Sequence, residues 1–132
     1  SMTVRPACST RLGWRTLLAM TELSSKRCVP CEGGVPVLPP DEVKKLLAEV
    51  GGWTLSSDGK SIAREIEFGD YWETMAFVNA VAWIAHQEDH HPDLEVFYNR
   101  CVVRYTTHAI DGLSENDLIC AAKVSALLAR GE

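Results

Sequence analysis

The sequence has no apolar run long enough to cross a membrane, because Trp, Asn, His or a charged residue interrupts every stretch well short of the roughly 20 residues a membrane helix needs. It also lacks an excess of positive charge. Thirteen Lys and Arg against 18 Asp and Glu give a formal net charge of −5 over 132 residues. Neutralising a phosphate backbone requires clustered cations, which argues against a general nucleic-acid-binding role. A disulfide framework is missing as well. The cysteines number five, and Cys8, Cys28, Cys31, Cys101 and Cys120 are scattered, two of them inside an expected strand and an expected helix. These absences lead us to expect a soluble, cytoplasmic protein whose ligand is nonpolar, neutral or acid-tolerant, with neither nucleic acid nor membrane as a partner.

The apolar content, 46%, suits one compact core and leaves little for a second. Residues 1–20 contain Arg5, Arg11 and Arg15, several Ser and Thr, and no acidic residue. That composition resembles an organelle transit peptide, but Ser1 reads more simply as an expression scar and Met20, before "TELSSKRC", as a natural start. Thr21 to Pro40 are rich in Pro, Gly and Ser without hydrophobic period, which predicts a poorly packed segment. We therefore expect a disordered or extended N-terminal arm over residues 1–38 and a folded domain over 39–132.

Within that domain, Pro39, Pro40 and Asp41 open a helix with Val43, Leu46, Leu47 and Val50 on one face, stopped by Gly51-Gly52. "WTLSSDGKSIAREIEF" reads as a hairpin turning at Ser57-Asp58-Gly59, with Ile62, Ile66 and Phe68 on one face and Ala63, Glu65 and Glu67 on the other. Asp70 and Glu73 suggest a capping box for a long helix with Met75, Val78, Ala82 and Ala85 as its apolar stripe. That helix ends near Asp89, since Pro92 disfavours helical geometry at His91.

A second hairpin follows, turning at Asn99-Arg100. In its second strand Cys101, Val103, Tyr105 and Thr107 face one way, and Val102, Arg104, Thr106 and His108 the other. Ser114 caps a last helix, with Asp117 at its third position and Leu118, Ala121, Ala122, Ser125 and Leu128 as a small-residue stripe. The order α-β-β-α-β-β-α predicts an α+β fold with a four-stranded antiparallel sheet covered on one face by helices.

Three of the four histidines fall in one stretch, "EDHHPDLEVFYNRCVVRYTTH". His90 and His91 follow the long helix, and the hairpin can bring His108 back toward them. Imidazole, with an unperturbed pKa of about 6.5, gives or takes a proton near neutrality, so two or three in one pocket can supply both an acid and a base. A histidine near a helix C-terminus can also be structural, where it meets the negative end of the dipole.

The joint pattern Asp89, His90, His91, Pro92, then Tyr98-Asn99, Thr107-His108, and Gly112-Leu113-Ser114 with Asp117 resembles the pterin-4a-carbinolamine dehydratases. A weaker correspondence spans residues 41–129, including "GGW" at Trp53, and "CVPCEGG" is similar to the arms of bacterial members. The resemblance implies an α-β-β-α-β-β-α fold and a hydro-lyase that removes water from 4a-hydroxytetrahydropterin to give quinonoid dihydropterin, supporting tetrahydrobiopterin recycling, with no cofactor and no metal.

It implies His90, His91 and His108 as catalytic residues that also bind substrate, and Pro92 and Thr107 as further substrate-binding residues. Asp89 and Asp117 are the implied supporting acidic groups. His86 and Leu94 depart from animal members, which commonly carry Glu and Trp there, so the pocket wall is expected to differ. Ala109, Ile110 and Asp111 match too poorly for any role to be carried over. The resemblance further implies a homodimer or homotetramer, for which the stripe Ala121, Ala122, Ser125 and Leu128 could supply the contact.

Two metal readings compete. Cys28 and Cys31 could form half of a zinc site or a redox pair, and His86 and His90, four apart, could join His91 and His108 around a metal. A binding module is the remaining rival, since animal members of the resembled family also stabilise a homeodomain factor's dimer.

Overall fold

A computed structural model describes residues 22–31 and 34–131. The readings of residues 1–20, and Cys8 with them, lie outside the described residues. The elements are α1 (Pro40–Val50), β1 (Thr54–Leu55), β2 (Ile62–Glu67), α2 (Tyr71–Glu88), β3 (Asp93–Val96), β4 (Arg100–Tyr105), a 3-10 turn (His108–Ile110) and α3 (Glu115–Gly131). The four strands form one antiparallel sheet in the order β1-β2-β4-β3. This is the α+β arrangement expected from the sequence.

Each helix starts and stops where local chemistry dictates. Pro40 opens α1, with Asp41 and Glu42 at the positive end of its dipole, and Gly51 closes it at φ 72°. At α2 the Asp70 carboxylate accepts from the Glu73 amide at 2.8 Å, while the Glu73 carboxylate reaches past the cap to the Gly69 amide at 2.8 Å.

The core lies between the helices and one face of β2 and β4, with Ile62, Cys101, Val103 and Tyr105 fully buried beside Leu118, Ala121, Ala122 and Val124 of α3. Trp53 donates its indole N–H to the Ser125 hydroxyl at 3.0 Å, so the ring is buried with its polar atom satisfied.

Three expectations need correction. The buried face of α2 consists of Thr74, Phe77, Val81, Ile84, Ala85 and Glu88, while Met75 and Val78 are half-buried and Ala82 is exposed. The larger Phe77 and Ile84 side chains win the core, and the two polar residues on that face find partners: Thr74 donates to the carbonyls of Asp70 and Tyr98. Secondly, most of the small-residue stripe of α3 is covered by the chain's own fold, with Ala121 and Ala122 at 0% and Ser125 at 6% exposure and Leu128 half-buried, so it offers little surface to a second copy.

Thirdly, residues 22–31, though most of them are exposed, are tied to the domain at specific points. Leu23 joins the core, and the Glu88 carboxylate accepts from the Cys28 amide at 2.8 Å and meets the Arg27 guanidinium at 3.2 Å. Asn116 then pairs with both amide and carbonyl of Val29, at 3.0 and 2.7 Å. This polar clasp needs no hydrophobic period, which is why the sequence pattern hid it.

Candidate active site

Helix α2 ends because Asp89 adopts the left-handed conformation, φ 50° and ψ 42°, and returns its N–H to the Ala85 carbonyl. The chain therefore reverses at the helix end. His90 turns inward, at 7% exposure, and His91 outward, exposed, before Pro92 directs the backbone into β3.

From the other side, β4 carries Tyr105 and, just beyond its end, Thr107 on the buried face. His108 lies near the end of the strand but not within it as its alternation suggested, and opens the 3-10 turn just after it. Thr107 pairs back with Gly112 in an antiparallel bridge, and Asp111, at φ 49°, makes the reversal; so tight a loop forbids continued extension.

The two segments meet in a cleft of about 300 Å³, at the lower end of the range for small-molecule sites. His90, His91, Pro92, Thr107 and His108 all line it, with Asp89 at the exposed helix end. Sequence reasoning missed Cys31, Asp93, Thr106 and Ala109 on the same walls. A groove of about 420 Å³ lined by Ile66, Phe68, Phe77 and Leu127 is larger but holds none of the histidines. The departures at His86 and Leu94 do not touch the cleft: His86 is exposed against Trp83, with ring centroids 5.3 Å apart, and Leu94 sits in β3 opposite Val103.

Behind the cleft, Asp117 organises the site from a fully buried position. Its Oδ1 lies 2.6 Å from His90 Nε2, while its Oδ2 accepts from the Thr107 hydroxyl at 2.7 Å and the Ser114 amide at 3.0 Å. Since the Thr107 proton goes to Asp117, the 2.8 Å contact between Thr107 and Ser114 must be donated by Ser114. A carboxylate accepting from these neighbours calls for a proton on His90 Nε2, which leaves Nδ1 as the ring nitrogen for other partners.

The Ser114 hydroxyl is thus directed at Thr107, and the capping arrangement at α3 works through its backbone amide. Tyr105, which sequence reasoning placed only on one face of the strand, stacks on His90 at 5.9 Å with 7° between the rings. Its hydroxyl is buried and has no hydrogen-bond partner among the described residues. Burial first, then the nearby Cys120 and Cys28 thiols, pushes that phenol well above its ordinary range.

Among the described residues, no group of three or more His, Cys, Asp or Glu side chains is arranged to hold a metal ion. His86 packs on Trp83 outside the cleft, and the two arm thiols are engaged separately: Cys28 Sγ lies 3.6 Å from Cys120 Sγ, and Cys31 Sγ accepts from Asn116 Nδ2 at 3.4 Å. No helix among the described residues is long and apolar enough to cross a membrane.

The fold and cleft together define a class: a small α+β protein whose concave site gathers ionisable imidazoles at a helix end and a strand end. Residues 36–127 match the family model described as pterin 4 alpha carbinolamine dehydratase, and the chain belongs to that family, whose activity makes it a hydro-lyase.

Among its relatives, a Nitrosospira multiformis protein named a pterin-4-alpha-carbinolamine dehydratase is 57% identical over 106 residues, covering 80% of this chain and 92% of that one. A Nitrosomonas eutropha protein of the same name is 58% identical, covering 81% and 94%. Among solved structures, a transcriptional coactivator/pterin dehydratase from Brucella melitensis superposes with a TM-score of 0.67 at 30% identity, covering 70% of this chain and 98% of that one.

Proposed function

We propose that the cleft removes water from a 4a-hydroxytetrahydropterin by histidine general acid–base catalysis. The observation that carries this reading is the meeting of one buried, carboxylate-held imidazole, His90, with two exposed imidazoles, His91 and His108, on one small concave surface. Loss of the 4a-hydroxyl is assisted when a protonated imidazole hands it a proton, and the charge left on the ring is relieved when a neutral imidazole takes a proton from a ring nitrogen.

His91 and His108 are exposed and free to exchange protons with both substrate and water, which suits them to these two steps. His90, with Nε2 engaged by Asp117, fixes the floor of the cleft and offers only Nδ1. Pro92 and Thr107 shape the edges that meet the pterin, and Asp89 sets the turn that separates His90 from His91. The product, a quinonoid dihydropterin, is the form a reductase returns to tetrahydropterin, so the reaction belongs to cofactor recycling in the cytoplasm.

Self-association is part of this reading. Exposed apolar side chains that could serve it lie on α2 and the β3–β4 hairpin, at Trp72, Trp83, Phe97 and Tyr98. Sedimentation that finds only monomer at micromolar concentration would remove it.

The test of the catalytic reading is the decay of freshly generated 4a-hydroxytetrahydropterin, followed by ultraviolet absorbance with and without a chelator. We expect acceleration that the chelator does not change, and a loss of about 10²-fold or more in His108→Ala. Full activity in that variant would remove His108 from the mechanism.

A further inference from the structure

We propose that Cys28 and Cys120 form a reversible dithiol–disulfide site, through which a peroxide links the 22–31 arm covalently to α3. This goes beyond the dehydratase reading and does not depend on it. The two Sγ atoms lie 3.6 Å apart, although 92 residues separate them in the chain (120 − 28). Bond formation has to bring them from that separation to about 2.05 Å.

The backbone around Cys28 is held in register by neighbouring contacts, its own amide on Glu88 and the flanking Val29 on both polar atoms of Asn116. Cys28 Sγ also sits 3.6 Å from the Asn116 carbonyl, one turn of α3 before Cys120. The sulfur pair is therefore a pinned arrangement between two elements and not a chance approach of a loose tail.

The two thiols are unequal, and the inequality assigns their roles. Cys28 is half-buried, while Cys120 is fully buried. The neighbouring Cys28 thiol and burial hold the Cys120 thiol far above the ordinary cysteine range, so it stays protonated and does not meet the oxidant.

With hydrogen peroxide the first step oxidises the Cys28 thiol to a sulfenic acid and releases one water. The Cys120 sulfur then attacks the Cys28 sulfur, the S–O bond breaks, and the departing hydroxide takes the Cys120 proton as a second water. Two thiols lose two electrons and one peroxide is reduced to two waters. The bond would tether the arm, whose Cys31 lines the cleft, to the helix turn that follows Asp117, the residue holding His90.

The experiment uses the full chain, reduced, desalted and exposed to a small excess of hydrogen peroxide, then blocked with N-ethylmaleimide and digested without reduction for mass spectrometry. The expected result is a mass loss of about 2 Da, a peptide pair joining Cys28 to Cys120, and a melting temperature raised by about 5 °C, all reversed by dithiothreitol. Cys28→Ser, a change at the half-buried partner, should abolish the mass loss, and Cys31→Ser should leave it. Joining of Cys28 to Cys31 or Cys8 would overturn the proposal. So would oxidation of Cys28 to sulfinic acid with Cys120 still alkylatable after unfolding, or a persistent loss of about 2 Da in Cys28→Ser.

Discussion

His90 Nε2 and Asp117 Oδ1 lie 2.6 Å apart at 7% and 0% side-chain exposure, so a histidine from the end of α2 and a carboxylate from the first turn of α3 form one buried unit. That unit joins the element carrying the His-His-Pro turn to the helix carrying Cys120. Its removal should therefore act on stability and chemistry together.

Replacing one member of such a buried pair leaves the other without compensation. Asp117→Ala also strips the acceptor from the Ser114 amide and the Thr107 hydroxyl. We expect a loss of about 3 kcal/mol in urea unfolding, together with slower turnover. Asp117→Asn, which keeps the shape, should lose less stability yet still slow the reaction, because an amide holds the imidazole tautomer less firmly than a carboxylate does. A variant with wild-type stability and turnover would show that the pair does neither job.

The three histidines should separate in a paired measurement of turnover and stability. His91 and His108 are exposed, so alanine at either should change unfolding free energy by less than about 0.5 kcal/mol while reducing kcat by about 10²-fold or more. His90→Ala should lower both. If His91→Ala and His108→Ala both retain kcat, proton transfer in the cleft must be reassigned.

Tyr105 makes a prediction about alkaline pH. Its folded-state phenol titrates above the ordinary value of 10.0, so the unfolded chain releases this proton first. The stabilising effect is whole below about pH 10 and declines as the pH climbs toward the folded value. The stability of wild type should fall relative to Tyr105→Phe by about 1.4 kcal/mol per pH unit above that point. At pH 7 the variant should be neutral or more stable, since the hydroxyl it removes has no partner among the described residues. Parallel stability curves for the two proteins from pH 10 to 12 would contradict this.

Glu88 tests the arm. Its side chain, 4% exposed, accepts from the Cys28 amide, and Arg27 and Lys123 lie 3.2 and 3.8 Å away. Glu88→Ala should release the segment, so that trypsin cuts after Lys26 or Arg27 at least 10-fold faster than in wild type. Unchanged cleavage would place the hold in Leu23 and Asn116 instead.

Much of the architecture was readable because it rests on short-range chemistry. The alternation at Cys101, Val103, Tyr105 and Thr107 marks the buried face of β4 without reference to any other part of the chain. Pro40, Gly51, Asp70 and Asp89 likewise delimit helices through backbone preferences that act within a few residues. The His-His-Pro turn and the Thr107-His108 pair could be recognised as a set, and the structure brings both to one cleft.

Other features depend on partners far along the chain. Thr74 and Glu88 could not be placed inside α2's buried face from its sequence, since the Tyr98 carbonyl and the Cys28 amide that satisfy them lie 24 and 60 residues away. Local pattern offered Met75, Val78 and Ala82 as an equally apolar stripe. The α3 stripe was legible as small and apolar, but its covering by the same chain was not.

By itself the sequence determined the order of elements, the faces of the strands and the residue types gathered at the cleft, because backbone propensity and hydrophobic period act locally. Only the tertiary structure decided that His90 is buried on Asp117, that His91 and His108 are the exposed pair, and that Cys28 meets Cys120. Those are outcomes of packing and charge satisfaction between segments distant in sequence, and no local period encodes them.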